Sequence, residues 1–247
     1  MTSSPSGYAL LDDVLDEAIG RGRRHDPVLP RSGGPAGNAR LTAWTGALLL
    51  VLIIAELITL LDVTGLIGWH VGIGIVMVAL ALMKSASTGW RIMRYYTGQA
   101  SYVRAGPPPT LLRLLGPLVI FTTLGVLGSG LALIAIGEEQ SQRSMFTLLG
   151  QRISPITIHQ VFFILFAVFT GLHLIARFVP AVFLMSGRTR QVEPASGVPG
   201  GRSRAVTLIA ALLASALAVA LVLPVHGWHH DDRRFRSRHQ HAQSYGR

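Results

Sequence analysis

Residues 154–182 read SPITIHQVFFILFAVFTGLHLIARFVPAV, an apolar run long enough to cross a membrane as one helix. The run contains two histidines, His159 and His173, fourteen residues apart. Fourteen residues advance a helix by about 21 Å and return to nearly the same face. One face of a single membrane helix therefore carries an imidazole near each surface of the bilayer. Titratable side chains are costly inside a membrane, so both histidines are candidate functional residues.

The composition around this segment indicates a membrane protein. Half of the 247 residues are hydrophobic and only 14% are charged. Five apolar segments approach or exceed the roughly 20 residues that span a bilayer. We therefore predict an all-α polytopic membrane protein with five spans, placed at residues 42–61, 67–89, 111–137, 155–179 and 205–226.

The domain organisation follows from these spans. We predict a single membrane domain of four transmembrane helices at 41–182 and a fifth helix at 205–228. A flexible arm (1–40), a linker (183–204) and a tail rich in histidine and arginine (229–247) lie outside them. The chain has no cysteine, which excludes disulfides, iron–sulfur clusters, thiolate-ligated haem and haem attached through CxxCH.

The distribution of arginine predicts how the chain is oriented. The net charge of +10 comes from arginines that flank the spans, which favours anionic lipid headgroups as partners and not nucleic acid. Positive-inside bias places the N-terminus in the cytoplasm and the C-terminus outside. We expect the membrane to be a bacterial inner (plasma) membrane. The arginines of the tail argue for the opposite orientation. The two loops that decide our prediction carry Arg91, Arg94, Arg104 and Arg113, and Arg188, Arg190, Arg202 and Arg204.

His70 and His159 form a candidate metal-binding pair. In the predicted topology the second and fourth spans run in the same direction, and each carries one of these histidines about one turn from its outer end. Two imidazoles that face each other at one depth are the ligands of a six-coordinate haem b, which suits electron transfer and not oxygen chemistry. The alternative is that these histidines only pack or form hydrogen bonds.

The first four spans, about residues 40–180, resemble the four-helix haem bundle of the cytochrome b superfamily, which includes respiratory and bacterial di-haem membrane cytochromes. In that family the second and fourth helices each carry two histidines at this spacing and hold one haem near each membrane face. His70, His159 and His173 match these positions, whereas Lys84 stands at the fourth. The resemblance implies one non-covalent haem b between His70 and His159. A second, inner haem at His173 lacks its partner ligand.

Glycines on neighbouring spans fit the same pattern. Gly116 and Gly130 on the third span are also fourteen residues apart, with Gly125 and Gly128 between them, and Gly46 lies on the first span. A flat macrocycle needs neighbouring helices without side chains where its edge passes. We therefore take Gly130 and Gly116 as candidate cofactor-binding residues. The alternative is close helix packing, which small residues also promote.

Two ionisable residues inside the spans, Glu56 and Lys84, each have more than one interpretation. Glu56 is predicted near the level of His70, either as a protonated carboxyl within the bundle or as a proton acceptor beside a quinol pocket. Lys84 is predicted to extend to the headgroups together with Arg91, or to act as an iron ligand, or to meet haem propionates or anionic lipid. Arg91 and Arg94 could also bind propionates, or simply anchor the loop at the interface.

The function we expect is that of a b-type electron-transfer subunit between the quinone pool and a partner redox protein. No nucleotide, flavin or molybdenum motif is present, so substrate chemistry belongs to the partner and the chain is a subunit of an oxidoreductase. The alternative is a non-redox membrane scaffold or small transporter. After the fifth span the side chains that could bind a divalent transition metal are His226, His229, His230, Asp231 and Asp232. The alternative is a solvated tail.

Overall fold

The structure, a computed structural model, describes residues 15–16, 26–107, 110–186 and 197–224. Within them five helices are long and apolar enough to cross a membrane, with mean hydropathies from 1.8 to 2.6. The protein is therefore an all-α integral membrane protein, as predicted. The helices are α1 (Gly34–Thr59), α2 (Ile67–Tyr96), the short α3 (Ala100–Ala105), α4 (Thr110–Gln142), α5 (Pro155–Ser186) and α6 (Gly201–Val222), and a hairpin of β1 (Phe146–Leu148) and β2 (Gln151–Ile153) joins α4 to α5.

Most of these helices are longer than the predicted spans. α1 begins at Gly34 and not at residue 42, so the last part of the predicted arm is helical. Gly33 ends the preceding turn at φ 77°, and Pro35 lies in the first helical turn, where its fixed φ and missing N–H are tolerated. Hydropathy reports the thickness of the hydrocarbon, whereas helix hydrogen bonds are local and continue beyond it.

The connections between helices are correspondingly shorter than predicted. α2 continues to Tyr96 and α5 to Ser186, and α6 begins at Gly201, before the predicted end of the linker. The loop after α2 contains α3, a helix that the sequence did not predict. The whole tail (229–247), residues 225–228 before it and linker residues 187–196 lie outside the described residues.

Four helices form a ring. α1 packs on α2, α2 on α4, α4 on α5, and α5 on α1. α2 and α5 are therefore diagonal partners across the bundle. Their N-termini lie at the same end because consecutive membrane-spanning helices, which exclude the short α3, alternate in direction. α6 packs outside the ring, mainly against α2, where the Ser215 hydroxyl donates to the Val76 carbonyl at 3.4 Å. This arrangement is the predicted four-helix bundle with a fifth helix.

The core of the bundle is small. Leu49, Met77, Leu80 and Ala81 form its buried apolar cluster, whereas Ile175 on the outer face is 75% exposed. Lipid tails are as apolar as these outward side chains, so exposing them costs little in a bilayer. The bundle therefore places its few polar groups in its interior and at its two ends.

Candidate functional site

The structure brings His70 and His159 together across the bundle. His70 lies in the first turn of α2 and His159 in the first turns of α5. Their ring centroids are 6.3 Å apart and the ring planes are nearly perpendicular, at 89°. We call this end of the bundle the histidine end, and the opposite end, which contains Lys84 and His173, the lysine end.

Hydrogen bonds around His70 define which ring nitrogen carries the proton. Thr59 Oγ1 lies 3.0 Å from His70 Nδ1 and donates its own proton to the Glu56 carbonyl at 2.6 Å. A hydroxyl has one proton, so Thr59 must accept from His70. Glu56 Oε1 is a second acceptor, 3.2 Å from the same nitrogen. His70 is therefore protonated at Nδ1 and keeps a free lone pair on Nε2.

His159 is oriented by the same kind of contact. Ser129 Oγ lies 3.0 Å from His159 Nδ1 and donates its proton to the Gly125 carbonyl at 2.7 Å. Ser129 therefore accepts from the imidazole, which is again protonated at Nδ1. Histidines that bind metals typically donate the other ring N–H in this way, because the contact fixes both the tautomer and the ring orientation.

The distance between the rings fits one metal ion between them. An imidazole nitrogen binds a transition metal at about 2 Å and lies roughly 1.2 Å from the ring centre, so two such ligands on opposite sides of one metal have centroids about 6.4 Å apart. The observed 6.3 Å agrees with this separation. An edge-to-face aromatic pair has centroids 4.5–7 Å apart, so direct packing of the rings accounts for the same distance.

The histidine end contains one buried oxygen without a hydrogen-bond partner and two glycines that lie against its side chains. Glu56 Oε2 is buried without a hydrogen-bond partner among the described residues. A Cβ on Gly130 would lie 3.2 Å from His159 Cε1, and one on Gly74 would lie 3.7 Å from Glu56 Oε1. Gly130 therefore allows His159 to approach α4, which is a role the sequence did not assign to it.

The other glycines have separate explanations. A Cβ on Gly125 would collide with the Phe162 ring, so Gly125 serves the packing of α4 on α5. A Cβ on Gly116 or Gly128 would meet nothing within 4 Å. The cofactor-binding role of Gly116 thus stays a prediction.

Lys84 occupies the lysine end. Its ammonium donates to the Thr42 carbonyl of α1 at 3.0 Å, and a Cβ on Gly46 would lie 2.7 Å from the Lys84 nitrogen. Thr42 Oγ1 also contacts Ser87 Oγ at 2.8 Å. The expectation that Lys84 extends to the headgroups was wrong, because the gap above Gly46 and the Thr42 carbonyl hold it against α1.

His173 lies in this second cluster without a facing imidazole. Its Nδ1 is buried without a hydrogen-bond partner among the described residues, and Lys84 and Arg177 interact with the ring electrostatically. The described part of the chain contains no group of three or more His, Cys, Asp or Glu side chains arranged for a metal ion. A metal ion held by His70 and His159 would accordingly have only two protein ligands among the described residues.

The arginines after this cluster are too far from the histidine end to serve it. Arg91 forms a two-contact ion pair with Asp26, at 2.5 and 3.3 Å. Arg94 follows His70 by 24 residues on the same helix, a rise of about 36 Å. Neither side chain can reach a propionate of a haem held by His70 and His159. The proposed metal ligands of the tail lie outside the described residues.

Comparison with known proteins found no matching family model, no matching curated protein and no matching solved structure. The geometry of the two ends of the bundle is therefore the basis for assigning a function.

Proposed function

We propose that this chain is a one-electron-transfer membrane subunit that holds a single haem b between His70 and His159. The observation that carries the proposal is the pair of imidazoles on diagonal helices, each protonated at Nδ1, with centroids 6.3 Å apart. Both Nε2 lone pairs are then available to one iron. The resemblance of the histidine spacing to the cytochrome b superfamily supports the same cofactor.

The chain's own residues would orient the two histidine ligands, and the haem would supply the redox chemistry. Thr59 and Glu56 hold the His70 ring, and Ser129 holds the His159 ring. A haem with two histidine ligands supplies a one-electron redox centre without an open coordination position. These contacts would keep both rings in place around a bound haem, which would favour fast electron exchange.

The position of the site supports exchange at one membrane surface. His70 and His159 lie within the first turns of their helices, and no second histidine pair occurs at the lysine end in the described residues. In the orientation that the arginines predict, this surface faces outward, so the quinol and the partner redox protein would both act there.

The test of the proposal is the haem content of the purified chain. We expect one non-covalent haem b per chain by the pyridine haemochrome assay, with the low-spin spectrum of two histidine ligands. Haem-free protein that is folded would contradict the proposal and favour the scaffold alternative, in which the rings pack edge to face. Two haems per chain would mean that Lys84 or another group completes a second site.

Glu56 provides a test of the quinol. Its Oε2 is buried beside His70 without a partner among the described residues, so it can accept a hydrogen bond from a quinol hydroxyl. Glu56→Gln keeps one acceptor oxygen for His70 but places a donor where the second oxygen was. We expect a quinol analogue to reduce the variant up to about tenfold more slowly, because a hydrogen bond typically contributes roughly 0.5–1.5 kcal/mol and about 1.4 kcal/mol in a barrier is tenfold in rate.

Two controls belong to this experiment. Dithionite reduces without a binding site, so its rate should not change in Glu56→Gln. Glu139 is exposed at the same end and pairs with Arg143. Glu139→Gln should therefore behave like the wild type. Equal rates for Glu56→Gln and wild type with the quinol analogue would contradict a contact between Glu56 and the quinol. Glu56 would then only orient His70.

A further inference from the structure

A cavity at the lysine end lies outside the candidate haem site. It is an open cavity with a volume of about 360 Å³, lined by the segment before α1, the start of α1, the end of α2, α3 and the start of α6. Leu29, Leu41, Trp90 and Tyr102 give it apolar and aromatic walls. Among the described residues its lining contains two arginines, Arg94 and Arg204, and no carboxylate.

The charge of Arg94 is not balanced within this cavity. Its guanidinium lies over the Trp90 ring, 4.1 Å from the centroid. Its Nε is buried and has no hydrogen-bond acceptor among the described residues. A buried donor without a partner is costly, so the position favours a ligand that brings acceptor oxygens.

Arg204 adds a second positive charge, and its acceptors in the described part of the chain are backbone carbonyls. Its guanidinium donates to three backbone carbonyls, those of Ser32, Val198 and Pro199, at 3.2, 3.1 and 2.7 Å. These bonds attach the start of α6 to the segment before α1, but the acceptors are neutral. The cavity therefore carries two guanidinium charges that attract an anion.

Gln99 indicates a further property of the ligand. Its Oε1 is buried with no hydrogen-bond donor among the described residues, and it lines the same cavity as Arg94. A ligand that satisfies both side chains must present acceptor oxygens to Arg94 and a hydroxyl or another donor to Gln99. A phosphate ester with a hydroxyl on its headgroup has both.

We propose that this cavity binds the phosphate of an anionic phospholipid whose headgroup carries a hydroxyl, such as phosphatidylglycerol. The site lies at the end of the bundle beside Trp90, which is 44% exposed, and tryptophan is typical of the membrane interface. Basic pockets between transmembrane helices at this level bind lipid headgroups. The apolar walls fit the glycerol and upper acyl carbons, which inorganic phosphate does not have. This site is independent of haem.

Thermal unfolding of the purified full-length chain in detergent tests the proposal. Phosphatidylglycerol should raise the Tm of the wild type by several degrees more than phosphatidylcholine with the same acyl chains. Arg94→Gln should reduce the phosphatidylglycerol shift to the phosphatidylcholine level. Arg104→Gln removes an exposed arginine from the same end that does not line the cavity, so it should keep the full shift.

The outcomes distinguish the sources of phosphate. Equal phosphatidylglycerol shifts in the wild type and in Arg94→Gln would overturn the site. Inorganic phosphate that stabilises the wild type as much as phosphatidylglycerol does would overturn the lipid as the ligand. If Arg94→Gln does not fold, Arg94→Lys, which keeps the charge but not the Nε donor, is measured in the same way and should show a smaller shift than the wild type.

Discussion

We expect that replacing either His70 or His159 by alanine abolishes the low-spin haem spectrum proposed for the purified protein. Each variant would remove one of the two proposed protein ligands, and no neighbouring histidine, cysteine or carboxylate forms a three-residue metal group in the described chain. A haem held by one histidine has an open position, and its spectrum changes from six-coordinate to five-coordinate. Haem content should also fall, since nothing attaches the group covalently. The measurements are the reduced-minus-oxidised spectrum and the pyridine haemochrome ratio.

His173→Ala is the matched control for these variants. It removes an imidazole from the same helix as His159, about 21 Å away along the axis, and should leave the low-spin spectrum intact. A low-spin spectrum that survives in His70→Ala would show that the pair is not the ligand set. Loss of the spectrum in His173→Ala, with the protein still folded, would move the haem to the lysine end.

The sequence predicted the bundle and the pairing of His70 with His159 because both depend on regular quantities. Hydropathy fixes which segments cross the bilayer, and short connections fix which helices run in the same direction. The depth of His70 then follows from its position near the start of its span, and that of His159 from the same argument. The structure places the two rings 6.3 Å apart, although their role as ligands stays a prediction.

The contacts around the two histidines could not be predicted from the sequence in the same way. Thr59 and Ser129 hold the rings only because the rotation of α1 and α4 about their axes brings these hydroxyls to the histidines. Rotation depends on packing between helices, which hydropathy does not specify. A hydroxyl within an apolar span was the available signal, but most such hydroxyls bond their own helix, as Thr122 does with the Leu118 carbonyl.

Lys84 shows a second limit of the sequence. Its place near the end of a span favoured an extended side chain that reaches the headgroups. In the structure the missing side chain of Gly46 provides a gap on α1, and the Thr42 carbonyl provides an acceptor there. Both features belong to a helix that is distant in sequence. Gly46 consequently accommodates Lys84, where a macrocycle had been expected.

Lys84→His should give the protein a second haem-binding position, so that haem content rises above one per chain. Residue 84 follows His70 by the same fourteen residues that separate His159 from His173, and the two helices are diagonal partners in the bundle. The exchange therefore places an imidazole opposite His173 with the geometry of the first pair. His173 Nδ1 has no hydrogen-bond partner among the described residues, so this nitrogen is not committed to a neighbouring side chain.

The shorter side chain also removes the ammonium from the gap above Gly46, which leaves room where Lys84 now lies. We expect partial occupancy, because fitting a macrocycle between packed helices requires neighbours to move, and overpacking typically costs about 1–3 kcal/mol. Lys84→Met is the control: it removes the same charge without offering an imidazole, so its haem content should stay at one. A Lys84→His variant that binds no more haem than Lys84→Met would contradict a shared two-site frame. That result would not count against the proposed site at the histidine end, because His70 and His159 have hydrogen bonds of their own that do not involve residue 84.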